Sequence, residues 1–174
     1  MNGHIVARIA LAATLLTGCE REDDADADSP LEGAWSVVSV RETGPDSAVK
    51  TIVPLGLYQF GDRHYSIMRV TSSEPRTLAA GSTLTDAEKL AAYDSFLANA
   101  GTYEVADSTL TVHPVVAKSP NFMSGGSDKY HFRVSGDTLW LSNTTADLRT
   151  SVGGQIVAPQ GQPTVVALVL VRQK

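Results

Sequence analysis

Tyr58-Gln59-Phe60-Gly61-Asp62-Arg63-His64-Tyr65-Ser66-Ile67 decides the fold, because its pattern returns twice further along the chain. The repeats are Tyr103-Glu104-Val105-Ala106-Asp107-Ser108-Thr109-Leu110-Thr111-Val112 and Phe132-Arg133-Val134-Ser135-Gly136-Asp137-Thr138-Leu139-Trp140-Leu141. Each reads aromatic, polar, apolar, four turn-forming residues, then apolar, polar or aromatic, apolar. Alternation with period two, a break at Gly, Asp or Ser, and renewed alternation describe a β-hairpin. Three such hairpins make an antiparallel meander. Its inner face is predicted to carry Tyr58, Phe60, Tyr65, Ile67, Tyr103, Val105, Leu110, Val112, Phe132, Val134, Leu139 and Leu141.

Two further strands bracket the hairpins, at Gly33 to Arg41 and Thr164 to Arg172, for a predicted total of eight. The fold class read from this is all-β, an eight-stranded antiparallel barrel. Val165 to Val171 is apolar at every position, so this last strand is expected to be covered on both faces. One amphipathic helix is predicted to interrupt the strands. Thr85-Asp86-Ala87-Glu88 has capping-box spacing. Leu90, Tyr93, Phe96 and Leu97 follow at helical spacing, and Gly101 supplies a stop. This stripe is expected to pack on the barrel or across its mouth; lid, plug and structural cap are all compatible with it. Residues 71–84 and 143–163 are rich in Gly, Ser, Thr and Pro, lack periodicity, and read as long loops bordering the mouth.

Of the 174 residues, 43% are apolar and 19% charged, which is ordinary for a globular chain. The net charge of -5 is concentrated: Glu20 to Asp28 holds six carboxylates against Arg21, which leaves the rest near neutral. No basic stripe is present, so the electrostatic footprint of a nucleic-acid binder is missing. There is one cysteine, Cys19, and hence no internal disulfide.

That cysteine closes a short apolar run, Ile9 to Leu16, well below the ~20 residues that span a bilayer. Leu16-Thr17-Gly18-Cys19 resembles the lipobox of bacterial lipoproteins. The resemblance implies that residues 1–18 are a cleaved signal peptide and that Cys19 carries a diacylglyceryl group with further acylation, such as palmitate, on its amine. Two or more chains make such an anchor effectively permanent. Residues 19–30 are then the lipidated Cys and an acidic, extended, mobile spacer. Calcium binding by those carboxylates is the weaker alternative. By resemblance to enterobacterial sorting rules, Glu20 does not signal inner-membrane retention, so the expected place is the outer membrane, facing the periplasm.

The domain at 31–174 carries a second resemblance. Gly33-Ala34-Trp35, with Arg172 near the end, resembles the lipocalin and wider calycin pattern, in which the Trp packs across the closed barrel base beneath an Arg. Ala98 to Val105, His113, Pro120-Asn121-Phe122, and Tyr130-His131-Phe132-Arg133-Val134 through Gly136-Asp137-Thr138-Leu139 look like the bacterial and fungal lipocalin-like domain family. The excursion at 71–84 and the 143–163 loop depart from it.

An eight-stranded barrel is wide enough to be filled by side chains or to hold one small ligand. The expected ligand is apolar, and the ligand-facing candidates are Tyr58, Phe60, Tyr65, Ile67, Arg69, Tyr103, Val112, Phe132 and Leu141. Arg69 continues the inward parity of Tyr65 and Ile67, so its guanidinium can sit at the mouth and pair with a ligand carboxylate. A packed barrel serving envelope structure or partner contacts, and a calycin-type isomerase or cyclase, are the alternatives. His64, His113 and His131 match no metal spacing, and no nucleophile elbow or phosphate loop occurs, so neither catalytic residues nor a cofactor are assigned.

Overall fold

The computed structural model describes residues 29–76, 81 and 83–174. Residues 1–28, which hold the expected signal segment, Cys19 and the acidic run, lie outside the described residues, as do 77–80 and 82 of the first long loop. The elements are β1 (Gly33–Thr43), β2 (Val49–Ile52), β3 (Gly56–Phe60), β4 (His64–Val70), α1 (Asp86–Asp94), β5 (Phe96–Ala106), β6 (Thr109–Ala117), α2 (Pro120–Met123), β7 (Asp128–Ser135), β8 (Thr138–Thr144), β9 (Thr150–Val152), β10 (Gln155–Val157) and β11 (Val165–Arg172).

All neighbouring strands are antiparallel, and β11 pairs with β1 from Trp35↔Arg172 to Thr43↔Val165, which closes the sheet. The other edge of β1 is shared: β3 pairs with its first residues and β2 with its last. The ring is therefore an eight-stranded barrel of β1, β3 to β8 and β11, with β2 extending the β3 position. The three hairpins form as read, β3 with β4, β5 with β6 and β7 with β8. Asp107 and Gly136 take the positive φ that tight turns need.

Because strand directions alternate, the three short hairpin turns and the 29–32 turn fall at one end of the barrel. The excursions 44–48, 118–127 and 145–164 and the described residues of 71–95 fall at the other. The short-turn half is solidly packed. Trp35, Phe60, Tyr65, Leu110, Leu139 and Leu170 are buried there, Phe60 meets Tyr103 edge to face at 5.4 Å, and the Tyr103 hydroxyl donates to Gly61 O at 2.9 Å.

Two bulges set the parity. In β1 the register slips between Val37 and Ser39, so Val38 turns outward and the inward series runs Trp35, Val37, Val40. Between β5 and β6 it slips beside Gly101, where a side chain would collide with the His113 carbonyl.

Four expectations are corrected. The helix begins with its capping box, Thr85 Oγ1 accepting from Glu88 N and Glu88 Oε2 from Thr85 N at 2.7 Å, but it ends at Asp94. Phe96, Leu97 and Gly101 belong to β5, whose two ladders, to β4 and β6, satisfy more backbone than a longer helix would. The helical stripe therefore never forms: α1 buries no residue, and Leu90 and Tyr93 are 60% and 49% exposed. Val105, expected inside, lies beyond the packed end and is exposed. In β11 only Val166, Leu168 and Leu170 are buried; Val165 and Ala167 face out. Both edges of that strand are already paired, so closure of the ring rather than a covering element protects it. Finally, the 143–163 loop holds the β9–β10 hairpin, turned by Gly153 and Gly154 at positive φ.

Candidate ligand-binding site

The long-loop half of the barrel is hollow. A cavity of about 510 Å³ opens there, within the range of small-molecule sites. Leu97, Phe122, Leu148, Val166 and Leu168 form an apolar wall, and Glu42 near the end of β1, Asp94 at the end of α1 and Lys118 just after β6 stand at its opening. The floor is polar: Tyr58, Arg69, Asn99, Asp128, Tyr130 and Asn143.

Each floor residue follows from strand parity. Arg69 lies opposite Leu97, Ile67 opposite Asn99, and Tyr58 opposite Ile67, one inward set across β3, β4 and β5. On β7, Asp128 and Tyr130 are the two inward positions preceding Phe132, and Asn143 is the next inward position after Leu141 on β8. Asp128 is 6% exposed and accepts from its neighbour Lys129 N at 2.9 Å, from Asn143 Nδ2 at 2.9 Å, and from the Tyr130 hydroxyl. Burial nevertheless pushes its carboxyl up to about 6, against the opposing pull of those hydrogen bonds. Burial likewise raises the phenols of Tyr58, Tyr65 and Tyr130, and the nearby Asp128 carboxylate adds to each; Arg69 acts against the rise at Tyr58 and Tyr130. Arg69 is 8% exposed, donates to Val70 O at 3.4 Å, and hydrogen-bonds the Tyr58 hydroxyl. The Asn99 Oδ1 and Tyr65 hydroxyl oxygens are buried without a hydrogen-bond partner.

Of the nine ligand-facing candidates, Tyr58 and Arg69 line this cavity. Arg69 is enclosed in the floor rather than placed at the rim. Phe60, Tyr65, Ile67, Tyr103 and Val112 are packed into the core. Leu141 is packed into the core as well, with Phe132 partly buried against it. A second hollow of about 510 Å³ lies on the outer surface of β7, β8, β11 and β1, where Arg133 stacks on Trp140 at 3.6 Å beside Arg41 and His131. The predicted interior was thus too uniform along the barrel axis. Asp128, Tyr130, Asn99 and Asn143 were missed, although continuing the Phe132 and Leu141 alternation by one or two steps past each hairpin reaches three of them.

The mouth is braced by α1. Lys118 Nζ donates to Tyr93 O at 2.7 Å and sits 4.2 Å from the Tyr93 ring, while the Tyr93 hydroxyl donates to Lys118 O at 3.0 Å. Arg76 donates to Ala92 O at 3.2 Å. Both cations meet carbonyls of the last helical turn, to which Ser95 also donates through its N–H and hydroxyl, where the helix dipole is negative.

At the packed end, the Arg172 guanidinium lies 4.1 Å over the Trp35 ring and donates to Glu32 O and Pro30 O, while Trp35 Nε1 donates to Leu31 O at 2.7 Å. Among the described residues no cluster of three or more His, Cys, Asp or Glu side chains could hold a metal, and no helix is long and apolar enough to cross a membrane.

Residues 32–159 match the lipocalin-like domain family. The chain belongs to that family. Among solved structures the lipocalin-like chain is similar to a lipocalin-like protein from Bacteroides uniformis, at 11% identity over 83% of this chain and 100% of that one, with a TM-score of 0.40. It is also similar to Rv2717c from M. tuberculosis, at 20% identity over 84% and 94%, with a TM-score of 0.37. No curated protein matches it in sequence.

Proposed function

We propose that this lipocalin-like barrel binds a small molecule with an apolar body in its open half, and carries it in the bacterial envelope from a lipid anchor at Cys19 on the outer membrane. The observation behind this reading is the division of the barrel into a packed half and a hollow half. Were the barrel only a structural module, nothing would require Leu97, Phe122 and Val166 to face about 510 Å³ of empty space while the other end is filled. The anchor and location rest on the lipobox resemblance alone.

Native mass spectrometry of the mature protein, gently extracted from membranes, tests the carrier reading. Val166 is buried and lines the cavity, so Val166→Phe adds volume into space rather than into a packed core. Wild type should release a passenger or bind a fluorescent apolar probe. Val166→Phe should lose at least about tenfold in probe affinity with the fold retained. A wild-type protein with no passenger and no probe binding ends the reading. The near-neutral Asp128 carboxyl favours a second reading, acid–base isomerisation of the bound molecule; ligand recovered unchanged by chromatography after incubation would exclude it.

A further inference from the structure

The cavity floor holds a cation and an acid that do not neutralise each other. Arg69 is buried, and no carboxylate among the described residues lies within ion-pair distance of it. Its partners are a carbonyl and a phenol. Asp128 is buried as well, and its partners are an amide N–H, the Asn143 side chain and a phenol, none of them a cation. The Tyr58 and Tyr130 phenols feel the charge of both groups. A guanidinium cannot discharge, so the enclosed charge calls for an anion from outside. A carboxylic acid can discharge by taking a proton.

We propose that the cavity takes its ligand as an aliphatic carboxylate together with one proton, the carboxylate settling on Arg69 and the proton on Asp128. This rests on the carrier reading and names the ligand class. The incoming carboxylate forms charge-assisted hydrogen bonds to the guanidinium, and its apolar chain lies along Leu97, Phe122 and Val166. Two carboxylates then share one enclosed floor, and like charges there cannot both remain ionised. Arg69 holds the ligand as the anion, so the proton goes to Asp128. In the empty site Asp128 titrates near 6 and is largely ionised above neutrality, so the proton comes from solvent on binding. The other groups around this site do not replace it: Tyr58, Tyr65 and Tyr130 are phenols held protonated, Asp147 adds negative charge beside Asp128, and Glu42, Asp94 and Lys118 stand at the opening. A neutral ligand of the same length creates no second charge and should bring no proton.

The test is titration calorimetry of the full-length chain with octanoate and with n-octanol, in buffers of differing ionisation enthalpy, from pH 6.5 to 8. Octanoate should take up close to one proton, and its affinity should fall by up to about tenfold per pH unit as pH rises. Octanol should show neither effect. Arg69→Met should remove the preference for the acid over the alcohol, and Asp128→Asn should remove the proton uptake and the slope. If wild type binds octanoate with no proton exchange and no slope, the proposal is overturned while the carrier reading stands. If neither ligand binds nor displaces an apolar probe from folded protein, both fall together.

Discussion

Gly33 has φ +115°, and a Cβ on it would lie 2.8 Å from Arg172 Nη1. The glycine therefore lets the guanidinium cross the Trp35 ring and reach the carbonyls of the 29–32 turn. Gly33→Ala should cost about 1–3 kcal/mol through the strained φ and the displaced arginine. A urea midpoint unchanged from wild type would show that the stack contributes little. Asp128 acts on stability through its proton. Its folded value of about 6 exceeds the ordinary 3.8, so the native state binds the proton more tightly. That contribution is complete below about pH 4, is lost as pH rises through about 6, and amounts to about 3 kcal/mol. Unfolding free energies measured from pH 4 to 8 should decline over that window in wild type and flatten in Asp128→Asn. A parallel decline in the variant would point to other groups. At this scale the sequence was informative where motif and parity coincide, as at Trp35, Tyr58 and Arg69. It was silent about the charge balance of the floor, because Asp128 and Arg69 are 59 positions apart and meet only through the curl of the sheet.

Among the elements, α1 is the least committed to the core. Its capping box stabilises the first turn, yet none of its residues is buried, and it is held at its far end by Lys118 and Arg76. Thr85→Ala should weaken the helix by about 1 kcal/mol. Hydrogen exchange across 86–94 should speed up severalfold while the global melting temperature stays within about 1 °C; a large drop in melting temperature would mean that the helix belongs to the cooperative unit. The strands were legible because their alternation is local and repeats in three hairpins. The helix end was not, because Phe96 and Leu97 satisfy a helical spacing and a strand alternation equally well, and only β4 and β6 on either side decide between them. The Gly153-Gly154 hairpin carries a recognisable turn signal, but its strands are three residues each, too short for periodicity to emerge.

Taken whole, the molecule separates its two roles along the barrel axis: aromatic packing at the short-turn end, polar floor and apolar wall at the long-loop end. The expected anchor adds a third element at the amino terminus. Cys19→Ser should accumulate uncleaved precursor that carries no lipid; a variant that is cleaved and stays membrane-bound would refute lipid attachment at that position. The ring itself is sealed by β1 against β11, pairing Trp35 with Arg172 across almost the whole length of the domain. No hairpin supplies that contact, so sealing the ring requires closing a loop between the two ends of the domain, which carries a larger entropic cost than any of the hairpins. A nascent chain lacking its final barrel strand therefore stays open with one side of β1 unzipped. Such a polypeptide would present that free β1 edge as a template for pairing with another chain until the last stretch arrives.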